Sequence, residues 1–222
     1  MQTGQLAVTI RPATFADLKP LASVLARAFE SDPAFTWMLP RADSRQSRSR
    51  GVFATKLRAE ALRYGAVEVA IGEGRIAGGT IWLPPGHWAP TTSEQLRSLP
   101  GYLLAFGRRF GSAAALLQSL ARAHPSEPHW YLFAIGVDPT LHGRGIAGLL
   151  LRSRLERCDS SHEPAYLEAS NPTGIPRYQH FGFEPRMVPS LPEGAPPITP
   201  MWRPPGAGPT ESGPGARPRS IP

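Results

Sequence analysis

The chain has little cysteine, little lysine and no long apolar run. Its single cysteine, Cys158, excludes an internal disulfide and agrees with a reducing compartment. No stretch of about 18 apolar residues is present, so no helical membrane span is expected. The opening Met1-Gln-Thr-Gly-Gln-Leu6 lacks a basic segment followed by an apolar one, which predicts no secretory leader and hence cytoplasmic residence. The histidines show no paired spacing with carboxylates or with Cys158, so no metal site is expected. A Gly-x-x-x-x-Gly-Lys-Ser/Thr phosphate loop is missing. So is the acidic ribose ligand of a dinucleotide-type crossover, since Asp159 comes too early and Glu168 falls within a strand.

Lysine is confined to Lys19 and Lys56, and the net charge of +7 therefore rests on arginine. Those arginines are scattered, some between Arg41 and Arg50 and others at Arg203, Arg217 and Arg219. A nucleic-acid binder concentrates its basic residues on one face with interleaved aromatics, so no nucleic-acid partner is expected, although a basic rim attracts an anionic cofactor. With 222 residues and 41% hydrophobic content, the chain can build one sizeable core. Residues 1–203 are expected to form a single α/β domain, followed by a Pro/Gly-rich tail over 204–222 that cannot bury a core and is expected to be disordered.

The hydrophobic pattern orders the elements. Residues 7–11 predict a first strand, and the periodic run Leu18, Leu21, Val24, Leu25, Ala28, Phe29 predicts a helix opening near Asp17, because Pro20 is tolerated only in a first turn. Residues 34–40 are apolar but broken, and 44–64 return to helical spacing. Two strands around Gly72-Glu-Gly74 predict an antiparallel hairpin. An inserted helical segment is expected over about 90–124, broken near Pro100 and Gly111. Residues 129–137 suit a central strand, and the strand at 165–170 follows through a helix, so these two should run parallel. A short helix from about Thr173 to His180 leads to Phe181-Gly-Phe183 and a returning strand, and Ile198 to Trp202 closes the sheet.

What the chain does have is Val137-Asp-Pro-Thr-Leu-His142-Gly143-Arg144-Gly145-Ile146-Ala147, between a strand and a Leu-rich helix. A glycine turn opening a helix presents unpaired N–H groups and the positive end of the helix dipole, which suits a pyrophosphate; glycine serving backbone geometry alone is the competing reading. One strand later, Asn171-Pro-Thr-Gly174-Ile-Pro-Arg-Tyr178-Gln-His-Phe-Gly182-Phe183 places a polar side chain at a strand end and a tyrosine on a short helix. Ligands of open sheets sit beyond the carboxyl ends of parallel strands, where Asn171 and the glycine turn would meet.

These two blocks resemble the Gcn5-related N-acetyltransferase (GNAT) superfamily. His142-Gly-Arg-Gly145-Ile-Ala147 matches its Gln/Arg-x-x-Gly-x-Gly/Ala signature except at the first position, and Asn171…Tyr178…Gly182-Phe183 matches the second block. Glu127-Pro-His-Trp-Tyr-Leu, Gly136-Val-Asp-Pro139, Tyr166-Leu-Glu-Ala-Ser170 and Ile175-Pro-Arg-Tyr178 are similar to puromycin N-acetyltransferase-like members. The resemblance, over roughly residues 8–186, implies a mixed, mostly antiparallel twisted sheet of six to seven strands with a central splayed parallel pair and flanking helices. It implies acetyl-CoA as co-substrate and direct attack by an amine. Backbone groups of Ile135, Gly136 and Val137 would hold the pantetheine, and amides of His142, Gly143, Arg144, Gly145, Ile146 and Ala147 the pyrophosphate. Asn171 would either approach the cofactor or cap its helix. Tyr178 matches the general acid of the family, or packs its helix on the sheet. Glu168 is the best-placed general base, with Glu30, Asp32 and a water relay as alternatives.

The acceptor is expected to meet the N-terminal helices and the insertion. Trp37 and Trp88, beside irregular segments, are expected to line an apolar pocket with Asp32 attracting the ammonium, whereas Trp82, in a strand, belongs to the core. A small-molecule amine, antibiotic-like acceptors included, is the expected partner. A peptide or protein amine and a non-catalytic acyl-CoA-binding role are the alternatives, and either a monomer or a homodimer fits.

Overall fold

The computed structural model describes residues 7–208. Seven strands form one sheet in the order β1-β2-β3-β4-β5-β7-β6. They are β1 (Val8–Pro12), β2 (Val67–Gly72), β3 (Arg75–Leu83), β4 (Trp130–Val137), β5 (Ala165–Ala169), β6 (Glu184–Pro185) and β7 (Thr199–Arg203). Only β4 and β5 pair in parallel among these neighbours. The sheet is thus mixed, mostly antiparallel and flanked by helices, as the sequence predicts. The returning strand after Phe183 is only two residues long, and β7 slots between it and β5 instead of sitting at the edge.

Helices cover both faces. On one side lie α1 (Leu18–Ala28), α2 (Pro33–Met38), α3 (Ala42–Lys56), α4 (Thr92–Phe106) and α5 (Phe110–Ala123); α6 (Ile146–Ser160) packs on the other, and the short α7 (Ile175–His180) follows β5. The larger core joins Leu21, Leu25, Phe53, Leu57, Ile81 and Leu116. A second core behind the sheet joins fully buried Trp82 to Leu132, Leu151, Leu155 and Phe183. Gly136 lets α1 lie close to β4: a Cβ there would sit 2.9 Å from both Ala28 Cβ and Leu25 Cδ2. The apolar stretch at 34–40, broken by pattern, is helical, because Asp32 caps α2 by accepting from Ala34 N–H and Phe35 N–H at 2.9 and 3.1 Å and Pro33 takes its first position.

The inserted segment departs from expectation at its break. α4 runs straight through Pro100, and the chain turns at Gly107 (φ 53°), not near Gly111. Gly101, next to that proline, is where α4 meets α3; a Cβ at that position would sit 2.2 Å from Thr55 Oγ1. Thr91 and Glu94 form a reciprocal capping box, and the same Glu94 accepts from Tyr64 Oη at 2.7 Å and Arg63 at 3.0 Å, anchoring the insertion to the end of the α3 region. Beyond β7, residues 204–208 fold back, with Gly206 N–H donating to Asp159 at 2.9 Å. The rest of the tail, 209–222, lies outside the described residues.

Several carboxylates tie elements together, and their pKa shifts set an acid limit. Burial opposes ionisation of Asp138, but Arg27 at 2.6 Å and the Thr140 hydroxyl and N–H outweigh it and hold it at about 2. Burial likewise opposes Glu94, which its partners hold at about 2, and Arg11 holds Asp17 below its usual range. A carboxylate depressed on folding contributes stability that is complete above its unfolded value near 4 and disappears as pH falls through its folded value. Thermal melts should therefore be flat from pH 7 to about 5 and fall steeply between about 4 and 2.

Candidate active site

The site begins with a break in the sheet. β4 pairs with β3 as far as Val137, but its pairing with β5 stops at Leu132↔Leu167. Phe133 is an extra residue in the β3–β4 register, which passes from Ile81↔Ala134 to Trp82↔Leu132. This bulge bends β4 where it parts from β5 and leaves the backbone of residues 133–137 without a β5 partner on that side. An extended amide-bearing chain can pair there as an added strand.

The glycine turn lies at the carboxyl end of β4. Asp138 caps a short 3-10 turn over Pro139–Leu141, Gly143 and Gly145 take φ of 79° and 76°, and α6 starts at Ile146. Only glycine adopts such angles without strain. The first helical bond of α6 is Leu149 N–H to the Gly145 carbonyl, and no side chain caps the helix. The opening amides of the helix are thus free for an anion, at the positive end of a fifteen-residue dipole. His142, at the unusual first position, is exposed and folds back on its own turn: its Nε2 lies 3.2 Å from the Val137 carbonyl. The residues therefore fit a pantetheine and a pyrophosphate.

From this opening a continuous cavity of about 990 Å³ runs under α4 and α5. Its outer part is lined by Ile135 to Val137, His142 to Ala147, Asn171 and Tyr178, and its inner part by Phe29, Phe53, Phe106, Trp88 and Glu168. Tyr178, on α7, rests edge-on against Phe183, ring centroids 6.2 Å apart. Burial pushes its phenol up to about 12, with Arg177 pulling the other way and Asp32 adding to the rise. Asn171 caps the turn before α7, accepting from Thr173 N–H at 3.0 Å and Thr173 Oγ1 at 2.9 Å, and it also lines the cavity.

Glu168 reaches the cavity from β5. It accepts from Tyr131 Oη at 2.7 Å and Tyr166 Oη at 3.2 Å, and His124 Nδ1 stands 3.6 Å from its Oε1. Burial, and secondarily Glu168, raise both tyrosines, so they remain donors. Asp32 also borders the cavity, but its carboxylate is engaged: one oxygen caps α2 and the other accepts from Ser170 Oγ at 2.5 Å. Burial raises its pKa against those three hydrogen bonds. Trp88 lines the cavity and stacks on His124 at 3.8 Å. Trp37 does not line it. The helical turn of α2 directs its ring away, under the Arg109 guanidinium at 5.1 Å.

Sequence reasoning missed the second polar cluster of the inner cavity. Lys56 Nζ pairs with Glu60 Oε2 at 2.5 Å and lies 4.5 Å over the Phe133 ring, while Tyr102 Oη donates to Glu60 Oε1 at 2.8 Å. The π-helical turn Leu57–Ala61 extends α3 and carries Glu60. Lys56 and Glu60 at helical spacing signal only a surface pair, and their burial depends on α4. Among the described residues, no group of three or more His, Cys, Asp or Glu side chains is placed to hold a metal ion, and no helix is long and apolar enough to cross a membrane.

A sheet opened at a bulge, beside an anion cradle and a deep cavity, defines an acyltransferase. Residues 69–183 match the acetyltransferase (GNAT) family, and the chain belongs to that family of N-acetyltransferases. A Corynebacterium glutamicum protein, described as histone acetyltransferase HPA2 and related acetyltransferase, is similar over 92% of this chain and 99% of its own at 30% identity and a TM-score of 0.70. An uncharacterized N-acetyltransferase of Schizosaccharomyces pombe is 28% identical over 178 residues, 75% of this chain and 70% of its own. The polyamine N-acetyltransferase of Drosophila melanogaster, which forms N-acetylagmatine, shares the fold at 17% identity, a TM-score of 0.60, and coverage of 89% and 100%.

Proposed function

We propose that the protein transfers acetyl from acetyl-CoA to the primary amine of a small, largely apolar molecule by direct attack. The observation that carries this reading is the continuity of the cavity from the unpaired edge of β4 to an aromatic-walled chamber under the inserted helices. A chamber roofed in this way favours a compact acceptor over a folded protein surface. When bound, acetyl-CoA supplies a thioester carbonyl as the electrophile.

The chain's own groups divide the remaining work. Backbone groups of Ile135, Gly136 and Val137 pair with the pantetheine amides, and amides from His142 through Gly143, Arg144, Gly145, Ile146 and Ala147 receive the pyrophosphate. His142 closes its own turn, so the backbone supplies the binding there. Tyr178 gives its phenolic proton to the departing sulfur, and Asn171 fixes the turn that carries it. Glu168 faces the ammonium and takes its proton. Trp88 walls the acceptor chamber, while Asp32 holds α2 against the end of β5.

A panel of amines tests the reading by release of free CoA thiol. It should include puromycin, to which the resemblance of residues 127–132, 166–170 and 175–178 points, together with phenethylamine, agmatine and a short peptide. Turnover of puromycin or phenethylamine well above that of the peptide is expected. Turnover of the peptide alone, or of none despite acetyl-CoA binding, overturns it.

A further inference from the structure

Resting on the reading of Glu168 as the group that faces the ammonium, we infer that His124 is the terminal proton acceptor of the reaction and that His129 fixes the tautomer that lets it serve. The inference comes from the order of hydrogen bonds along three side chains. His129 Nδ1 lies 2.6 Å from the Glu127 carbonyl oxygen, which can only accept, so Nδ1 carries a proton. Burial lowers the pKa of His129, which keeps the ring neutral and leaves a lone pair on Nε2. That lone pair faces His124 Nε2 at 3.0 Å, so His124 must donate from Nε2. A neutral His124 then presents a bare Nδ1 to the Glu168 carboxylate.

Two acceptors face each other at that point, and the separation fits: 3.6 Å is longer than a hydrogen bond. The gap is where a proton can be received. Glu168 already accepts from Tyr131 and Tyr166, both of which stay protonated, so neither tyrosine supplies a competing base. The charged or titratable groups packed around His124 are Glu168 and Tyr166 on β5, Tyr131 on β4, and His129 just before β4; Trp88 covers the remaining face.

The step balances. An N–H bond of the ammonium breaks, its proton passes by way of Glu168, and an N–H bond forms at His124 Nδ1. The amine is left neutral and the imidazole becomes an imidazolium hydrogen-bonded to His129 on one side and ion-paired with Glu168 on the other. The arrangement has a second use. An imidazolium stacked on Trp88 and paired with Glu168 gains from both, so the received proton is held away from the amine while it attacks. His129 acts through His124 and is a positioning residue.

Nitrogen NMR of the ¹⁵N-histidine protein tests the tautomers without any acceptor. At pH 8, neutral His124 should appear as the Nε2–H form and His129 as the Nδ1–H form, assigned by loss of signals in His124→Gln and His129→Phe. An Nδ1–H tautomer at His124 overturns the inference. In kcat/KM, using the fastest amine of the panel, His124→Gln should lower the rate by about a hundredfold near neutrality. His129→Phe keeps the ring packing but removes the acceptor of the His124 Nε2–H, so the neutral His124 signal should pass from the Nε2–H form to a mixture with Nδ1–H, and kcat/KM should fall about tenfold. An unchanged kcat/KM in His124→Gln, with activity collapsing in Glu168→Gln, overturns this inference alone. Full activity in Glu168→Gln overturns the reading of Glu168 beneath it.

Discussion

Tyr178→Phe is expected to bind CoA like the parent protein and to lose turnover by about a hundred- to ten-thousandfold. The substitution removes one oxygen and leaves the ring where it is, against Phe183 and within 3.4 Å of the position a Cβ on Gly174 would take. Neither the unpaired edge of β4 nor the glycine turn is hydrogen-bonded to that oxygen, so affinity for CoA should change little. The phenol, held at about 12, is fully protonated throughout the working range and supplies a proton without first having to gain one. Accordingly, the parent enzyme should show no falling limb from Tyr178 below about pH 10. Single-turnover acetyl transfer isolates the chemical step from product release, and CoA titration by calorimetry checks the binding. Equal single-turnover rates in the two proteins would assign Tyr178 to packing alone.

The parts of the site that the sequence shows are those written in short segments. The glycine turn needs two positive φ values within three residues, and only Gly143 and Gly145 satisfy them, so the pattern survives in one dimension. Asn171 and Tyr178 are seven positions apart along a strand end and a short helix, and the helix geometry brings both to one opening. Glu168 is equally local as a position, but its surroundings are not: Tyr131 comes from the neighbouring parallel strand and His124 from the end of the insertion. No spacing rule connects residues 124, 131 and 168, because their meeting depends on the register of β4 against β5.

Trp37, the misplaced aromatic, follows the same logic. Trp37 stands beside residues whose pattern is too short to show a helical period, and only the cap at Asp32 reveals α2 and turns the ring toward Arg109. Pro100 marks a break by its own chemistry, yet the helix survives it because α4 is held at its start by the Thr91 and Glu94 box and along its length by α3. The bulge at Phe133 has no local signature at all, since an uninterrupted apolar strand reads identically with or without it. Fold class depends on the period of each element and is legible; the opening of the sheet depends on one residue of register and is not.

Arg154→Ala is expected to destabilise the fold by about 3–5 kcal/mol, the largest stability effect of any single polar substitution here. Arg154 projects from α6 beneath the sheet, where its guanidinium meets Glu68 of β2 at 2.9 Å and the Ala66 carbonyl at 3.3 Å. Both side chains are almost wholly buried, at 5% and 1% exposure. Arg157 also approaches Glu68, but at 3.9 Å and from a half-exposed position, so it cannot replace the lost partner. Removing the guanidinium leaves a carboxylate in a low-dielectric interior with one oxygen that already lacks a partner. The loss also deprives the Trp130 ring of a cation 4.7 Å from its centroid. Removing both charges tells the pair's worth from the penalty of breaking it: Glu68→Leu with Arg154→Leu should recover most of the loss, because two apolar side chains in that space demand no desolvated charge. Urea unfolding of Arg154→Leu, Glu68→Leu and the double variant, alongside Arg154→Ala, gives the cycle directly. A double variant no more stable than Arg154→Ala would show that the guanidinium packing against Trp130, not the ion pair, holds α6 to the sheet.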